Sequence, residues 1–214
     1  MTLNAGPSRV EQHSRVRRLV RAVLTALTGL ALGACAVTGP PPAEYVLGSM
    51  PASRPGTLIQ TKQPAVLVER VRLPDYLDST DLVVRKAGEL LPSATGRWAE
   101  RLSVGFTRSL AESLATRLPQ AFVTAVAPIE HPKLLLAVEV SHFGAYPDHQ
   151  VTLVARWTVI DGNSRGILLT QQTTLLEPVN GSGDPFVVAA MSRAIDDLSS
   201  QISPTLAADL TPAL

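Results

Sequence analysis

The sequence predicts an α+β fold: a two-layer sandwich of a mostly antiparallel sheet with two helices packed on one face. Two segments between residues 134 and 160 alternate apolar and polar residues, a third at 168–176 is rich in Thr, Gln and Leu, and short turns separate the three. Segments 98–118 and 184–202, on either side of these strands, carry apolar residues at helical spacing. Consecutive strands joined by short turns pair antiparallel, and their apolar face requires a cover. The two helices are the expected cover.

Two strand segments come before the first helix. Ala65 to Leu73 is rich in β-branched residues and is expected to end at Pro74. Asp81 to Lys86 is a second, shorter strand, which can form a hairpin with Glu89–Leu91.

The first helix is predicted from Trp98 to Leu118, because its apolar residues recur every fourth position. Ser93 or Thr95 is expected to cap its start, and Pro119 ends it. The stripe consists of Trp98, Leu102, Phe106, Leu110, Leu114 and Leu118.

The three predicted strands are Leu134–Ser141, Val151–Ile160 and Leu168–Leu176, an expected antiparallel meander. The last helix begins with Asp184 as N-cap and Pro185 in its first turn. Pro204 is expected to end it. The predicted α+β domain therefore covers residues 65–204, and residues 205–214 form a C-terminal tail.

The first 34 residues have the composition of a secretory signal peptide. Five arginines and one acid lie in residues 1–21, and residues 22–34 carry no charge. The alternative is a transmembrane anchor, which needs about 20 apolar residues. The uncharged run is shorter and is followed by Pro40–Pro42, so we predict cleavage between Ala34 and Cys35.

Cys35 is the predicted lipidation site. The stretch Leu32–Cys35 resembles the lipobox of bacterial lipoproteins, in which the cysteine receives a diacylglycerol and, after cleavage, an N-acyl chain. The alternative is a buried free cysteine. Cys35 is the chain's one cysteine and ends its one signal-like segment, which favours lipidation. Ala36 stands where an aspartate would retain an enteric lipoprotein at the inner membrane, so we expect an outer-membrane anchor facing the periplasm.

Residues 35–64 are expected to form a proline-rich tether, with a short strand near 44–47 that can join the domain. Removal of residues 1–34 leaves 14 basic and 17 acidic side chains. The slightly basic character of the whole chain thus belongs to the signal, and no nucleic-acid partner is predicted.

The sequence predicts no catalytic site, no metal site and no cofactor beyond the covalent lipid. The histidines lack metal-ligand spacing, and a hydrolase would need a nucleophile–base pair that the sequence does not indicate. Asp75, Asp78 and Asp81 lack the glycine and glutamate of a calcium loop, so a capped turn is preferred. Trp98 is either a core anchor or, with Arg97, a partner-facing residue.

Several segments resemble the PqiC family of ABC-type transport auxiliary lipoproteins. The most specific are Leu73–Asp78, with the pattern Leu-Pro-x-Tyr-Leu-Asp, and Arg97–Leu102, which begins Arg-Trp-Ala-Glu. Tyr45–Leu47 and Ala155–Trp157 also match. Arg101 replaces a proline common in relatives.

The resemblance implies a non-enzymatic outer-membrane lipoprotein that docks a periplasmic conduit in an intermembrane lipid transport system. The implied partners are an MCE-domain protein and an inner-membrane permease, and a homo-oligomer is possible. Tyr76, Asp78, Arg97 and Trp98 are the candidate interface residues. The alternative is a periplasmic carrier lipoprotein that holds the hydrophobic cargo itself.

Overall fold

The computed structural model describes residues 40–48, 63–86, 88–128, 130–146 and 148–210. Within these ranges, regular structure forms where apolar residues recur with a period of two or of about four. The elements, in chain order, are β1 (Ala43–Tyr45), β2 (Ala65–Val68), β3 (Asp81–Lys86), β4 (Glu89–Trp98), α1 (Leu102–Arg117), β5 (Phe122–Thr124), β6 (Leu134–Tyr146), β7 (Gln150–Asp161), β8 (Ile167–Pro178) and α2 (Asp184–Leu210).

The predicted meander is confirmed. β6 pairs antiparallel with β7, and β7 pairs antiparallel with β8, along nearly their whole lengths. On β7 every second side chain is buried, from Val151 to Val159, while those between are only partly covered. A sheet with one covered and one open face has this pattern.

The rest of the sheet is organised differently from the prediction. β2 pairs parallel with the first part of β6, and β3 pairs parallel with its last part. β1–β4 and β2–β5 are also parallel, so four of the seven pairings among the described strands are parallel. The α+β class is right, but the mostly antiparallel sheet is wrong. Strands separated by α1 return in the same direction, as crossover connections require.

Both helices contribute to the core on the covered face. α1 packs near β2 and β5, and α2 packs across β6, β7 and β8. The α2 residues that face the sheet are completely buried, and two of them are alanines, whose small side chains let the helix lie close. These residues are Ala190, Ala194, Ile195, Leu198 and Ile202.

Two helix boundaries differ from the prediction. α1 begins at Leu102 and not at Trp98, because β4 continues through Trp98. α2 continues through Pro204 to Leu210, with Leu206 fully buried. Pro204 cannot donate to the Ser200 carbonyl, which instead accepts a hydrogen bond from Ser203 Oγ at 3.4 Å. The predicted tail therefore contains six helical residues, 205–210.

The described residues from Pro42 onward belong to one unit. β1 and the buried Leu47 lie in it, so the short strand predicted near 44–47 joins the domain. None of the helices in the described ranges is long and apolar enough to cross a membrane.

Candidate docking site

The Leu73–Asp78 segment forms a tight turn that meets the start of α1. The Pro74 carbonyl accepts hydrogen bonds from the amides of Leu77 and Asp78, at 2.9 and 3.1 Å. Asp78 Oδ1 accepts a hydrogen bond from the Ser103 amide at 3.0 Å, and the Ser79 carbonyl accepts one from the Leu102 amide. The first amides of a helix lack partners within the helix, so residues 78 and 79 supply the cap from elsewhere in the chain.

The predicted caps have another role. α1 has no side-chain cap of its own, and Ser93 and Thr95 lie in β4. Both hydroxyls donate to Asp184 Oδ2, at 2.8 and 2.7 Å, and thereby fix the start of α2. The residue that does cap α1 is Asp78, whose carboxylate accepts from the Ser103 amide 25 residues further along the chain. No local sequence pattern indicates a cap at that separation, which is why the prediction missed it.

Arg101 completes the contact between the turn and α1. Its guanidinium donates to the Asp78 carbonyl at 2.7 Å and to Asp78 Oδ2 at 3.1 Å. Burial raises the pKa of the Asp78 carboxyl, but hydrogen bonds from Ser103 and Arg101 outweigh burial and hold that pKa below its usual value. Asp78 is therefore charged at neutral pH and is engaged within the chain.

The other candidate interface residues lie in different environments. Trp98 is a core residue with 3 % exposure, which excludes direct partner contact through its side chain in this structure. Arg97 is about half exposed and pairs with Glu44 of β1, its neighbour in the parallel register. Tyr76 is 45 % exposed. The structure thus separates Arg97 and Tyr76, which are accessible, from Trp98 and Asp78.

Tyr76 borders a groove on the sheet face that the helices leave open. The groove holds about 280 Å³ of empty space, part of it open solvent. Its lining is mostly apolar and aromatic, with Arg85 and His142 as the polar groups. The lining residues are Tyr76, Leu77, Val83, Arg85, Leu90, His142, Phe143, Gly144 and Tyr146.

Residues 45–48 are fixed to both helices. Arg108 donates to the Leu47 carbonyl at 3.0 Å and pairs with Glu100 at 2.9 Å. The Gly48 amide donates to Ser192 Oγ of α2 at 3.1 Å. The short strand predicted near 44–47 is therefore part of the folded unit.

No metal-binding group of histidine, cysteine, aspartate and glutamate is present among the described residues. Ala34 and Cys35 lie outside the described ranges, so lipidation at Cys35 remains a prediction from the sequence.

Comparisons with known proteins agree with the resemblance found in the sequence. Residues 45–203 match the family described as the ABC-type transport auxiliary lipoprotein component. No curated protein matches. A crystal structure of an uncharacterised protein superposes with a TM-score of 0.65 at 19 % identity, covering 77 % of this chain and 98 % of that one. A Xanthomonas campestris protein of family DUF330 gives 0.58 at 17 % identity, covering 78 % and 93 %. At these identities, the two structures support the fold alone.

Proposed function

This chain belongs to the family of ABC-type transport auxiliary lipoprotein components, and from that membership we propose that it is the non-enzymatic lipoprotein subunit of an MCE-type intermembrane lipid transport system. The match over residues 45–203 carries the proposal, because it includes β2 to β8, α1 and most of α2. In this role the domain docks the periplasmic conduit, formed by an MCE-domain protein, at the outer membrane. An inner-membrane permease completes the system.

The proposed anchor is the lipid on Cys35. Cleavage before Cys35 frees an amine for the N-acyl chain, and together with the diacylglycerol this gives more than one chain, as stable anchoring requires. The alanine at position 36 supports sorting to the outer membrane, with the domain facing the periplasm.

The docking role is favoured over cargo carrying by the way the domain is packed. A carrier needs an apolar cavity, typically of about 300–1,000 Å³. The space between α2 and the sheet is filled by fully buried side chains such as Ala194, Leu198 and Ile202. Part of the groove beside Tyr76 is open solvent, so the groove is not an enclosed cavity. A surface for protein contact fits these features better than an enclosed lipid site.

Co-purification from membranes tests the proposal. The full chain with an affinity tag, extracted from cell envelopes in mild detergent, is expected to recover an MCE-domain protein and a permease. Tyr76→Ala with Arg97→Ala is expected to lower this recovery, because these two candidate residues are accessible. Ile167→Ala, an exposed apolar residue at the other end of the sheet, is the matched control. Recovery of the chain with no MCE-domain protein would contradict the proposal.

Cell fractionation tests the anchor separately. Cys35→Ser removes the only thiol of the chain. The variant is expected to leave the outer-membrane fraction, because without the thiol the chain cannot receive the acyl chains that stable anchoring requires. Unchanged membrane association of this variant would show that Cys35 is not the anchor.

A further inference from the structure

The path of β1 shows from which end of the sheet the anchored chain enters the domain. Ala43 lies opposite Gly96, and β1 runs parallel to β4. β4 is antiparallel to β3, and β3 is parallel to β6. Residues preceding Ala43 therefore lead toward the end of the sheet at which β6 finishes. We call it the entry end and define it by Lys86, Glu89, Tyr146, Gln150 and Pro178, where five strands begin or end.

The chain between Cys35 and the start of β1 is short. Cys35 and Ala43 are eight positions apart, and the residues between include Pro40–Pro42. An extended proline-rich segment advances about 3.1 Å per residue, which gives about 25 Å at most. These eight positions are far fewer than the 30 residues of the predicted tether, because β1 is already part of the domain. The length of chain thus limits how far Ala43 can lie from the proposed anchor.

Exposed apolar side chains lie on both layers of the domain at this end. Leu90 and Leu91 are 36 % and 43 % exposed, and as neighbours in β4 they point to opposite faces of the sheet. Tyr146 lines the groove beside Leu90 and Arg85. In the helix layer, Phe186 is 44 % exposed, two residues after Asp184, which contacts β4 near Gly96.

The charges at the entry end are mixed. Arg85 and Lys86 lie in β3, while Glu89 and Asp148 are acidic residues at the same end. Net attraction to anionic lipid is therefore small. The boundary between acyl chains and headgroups suits this composition, because leucine is apolar while tyrosine, lysine and arginine each have an apolar body and a polar tip.

We propose that the entry-end surface formed by Lys86, Leu90, Leu91, Tyr146 and Phe186 rests on the phospholipid surface that carries the anchor. This inference rests on the proposed lipid anchor at Cys35. The proposed contact gives the domain a fixed orientation. Tyr76 contacts the Ser141 carbonyl, and Ser141 precedes Tyr146 in β6, so Tyr76 lies further from the lipid than Tyr146 does. Tyr76, one of the accessible docking residues, thus lies on the periplasmic side of Tyr146.

Site-specific fluorescence in vesicles tests the proposal. Lipidation occupies the only native thiol, so single cysteines can be labelled in the full lipidated protein. Labels are placed by Leu90→Cys and Leu91→Cys, with Ile167→Cys and Leu168→Cys as controls. The control pair is also consecutive, exposed and apolar, and it lies at the opposite end of the sheet. The vesicles contain phosphatidylethanolamine, phosphatidylglycerol and a doxyl-labelled phospholipid that quenches on contact.

Quenching is expected at 90 and 91, and not at 167 and 168. Equal quenching at both pairs, or none at 90 and 91, would overturn the proposal. A third outcome is a fluorescence change at 90 and 91 that occurs only when MCE-domain protein is added to the vesicles. This result would assign the surface to that partner and would also overturn the proposal.

A paired variant tests whether the apolar side chains cause the contact. Leu90→Gln with Leu91→Gln is combined with a label at Glu89→Cys, and the population in lipid contact is expected to fall about tenfold. Ile167→Gln with Leu168→Gln, carrying the same label, is expected to leave it unchanged. Protein that does not float with the vesicles would contradict the lipid anchor as well as this inference. Protein that floats, with unchanged quenching in the Leu90/Leu91 variant, would overturn this inference alone.

Discussion

Asp78 is the residue that connects the Leu73–Asp78 motif with the Arg97–Leu102 motif. Its carboxylate accepts the Ser103 amide at the start of α1 and pairs with Arg101. The two segments that most strongly indicate the family are thus in direct contact. Within this chain, the two motifs therefore have a structural role at the start of α1.

Asp78→Ala is expected to destabilise the domain by about 1–2 kcal/mol, the usual cost of losing an N-cap carboxylate. Urea unfolding monitored by circular dichroism measures the change. Asp75→Ala, at an exposed position in the same turn, is expected to stay within about 0.5 kcal/mol. Equal effects of the two substitutions would show that the cap is unimportant.

The same pair predicts a pH dependence. Because the folded pKa of Asp78 is lowered, its contribution is fully present above the ordinary aspartate pKa of about 4 and is lost as the pH falls through the lower folded value. The difference in unfolding free energy between the parent chain and Asp78→Ala should be constant from pH 7 to 5 and shrink below pH 4. A difference that grows on acidification would contradict this assignment.

Gly96 is required by close packing at the junction of β1, β4 and α2. A Cβ at this position would lie 2.5 Å from Asp184 Oδ2 and 2.6 Å from Tyr45 Cε2. Gly96→Ala is therefore expected to cost about 1–3 kcal/mol in the unfolding free energy, as overpacking does. Gly144→Ala is the matched control, since nothing lies within 4 Å of its added Cβ. A stable Gly96→Ala variant would mean that β1 can move away.

At the scale of elements, β1 is short but well anchored. Leu47, just after it, is 2 % exposed, whereas its neighbour Val46 is 54 % exposed. Leu47→Ala is expected to lower the unfolding free energy by about 2–5 kcal/mol, and Val46→Ala by less than about 0.5 kcal/mol. Thermal and urea unfolding of both variants measure this. Similar small losses in both would place β1 back in the tether.

The end of α2 provides a second element-scale prediction. Leu206 is fully buried, Leu210 is 6 % exposed, and Lys133 Nζ donates to the Leu210 carbonyl. A chain that stops after Pro204 is expected to be several kcal/mol less stable than the full chain, because it loses both leucines from the core. A chain that stops after Leu210 retains these contacts and is the control. Equal stability of the two shortened chains would contradict a structural role for residues 205–210.

On the scale of the whole molecule, the helix layer lies close to the sheet. Ala190 and Ala194 are completely buried, and their small side chains bring α2 close to β6 and β7. We therefore expect no stoichiometric phospholipid in purified Cys35→Ser protein. Mass spectrometry of an organic extract measures this, with a known lipid carrier processed alongside. One phospholipid per chain would favour the carrier hypothesis.

Local sequence patterns predicted most of the elements and one part of the site. The alternation of Val151, Leu153, Ala155, Trp157 and Val159 was sufficient to place β7 and its buried face. Tyr76 and Arg97 were found through family resemblance and are exposed. The patterns failed where contacts join distant segments: Ser93 and Thr95 were expected to cap α1 but bind Asp184. Partners 89 and 91 positions apart are decided by packing, and local propensity carries no information about them.

The sequence by itself determined the α+β class, the antiparallel meander, the two helices, the predicted export and lipidation signal, and the family. Each follows from composition, periodicity or short motifs, which are local properties of the chain. Tertiary structure alone decided that β2 and β3 join β6 in parallel, that Trp98 ends a strand in the core, and that α2 passes through Pro204. It also joined β1 to the domain and so shortened the tether. These outcomes depend on which distant surfaces bury each other, because burial of apolar area outweighs the preference of any single residue.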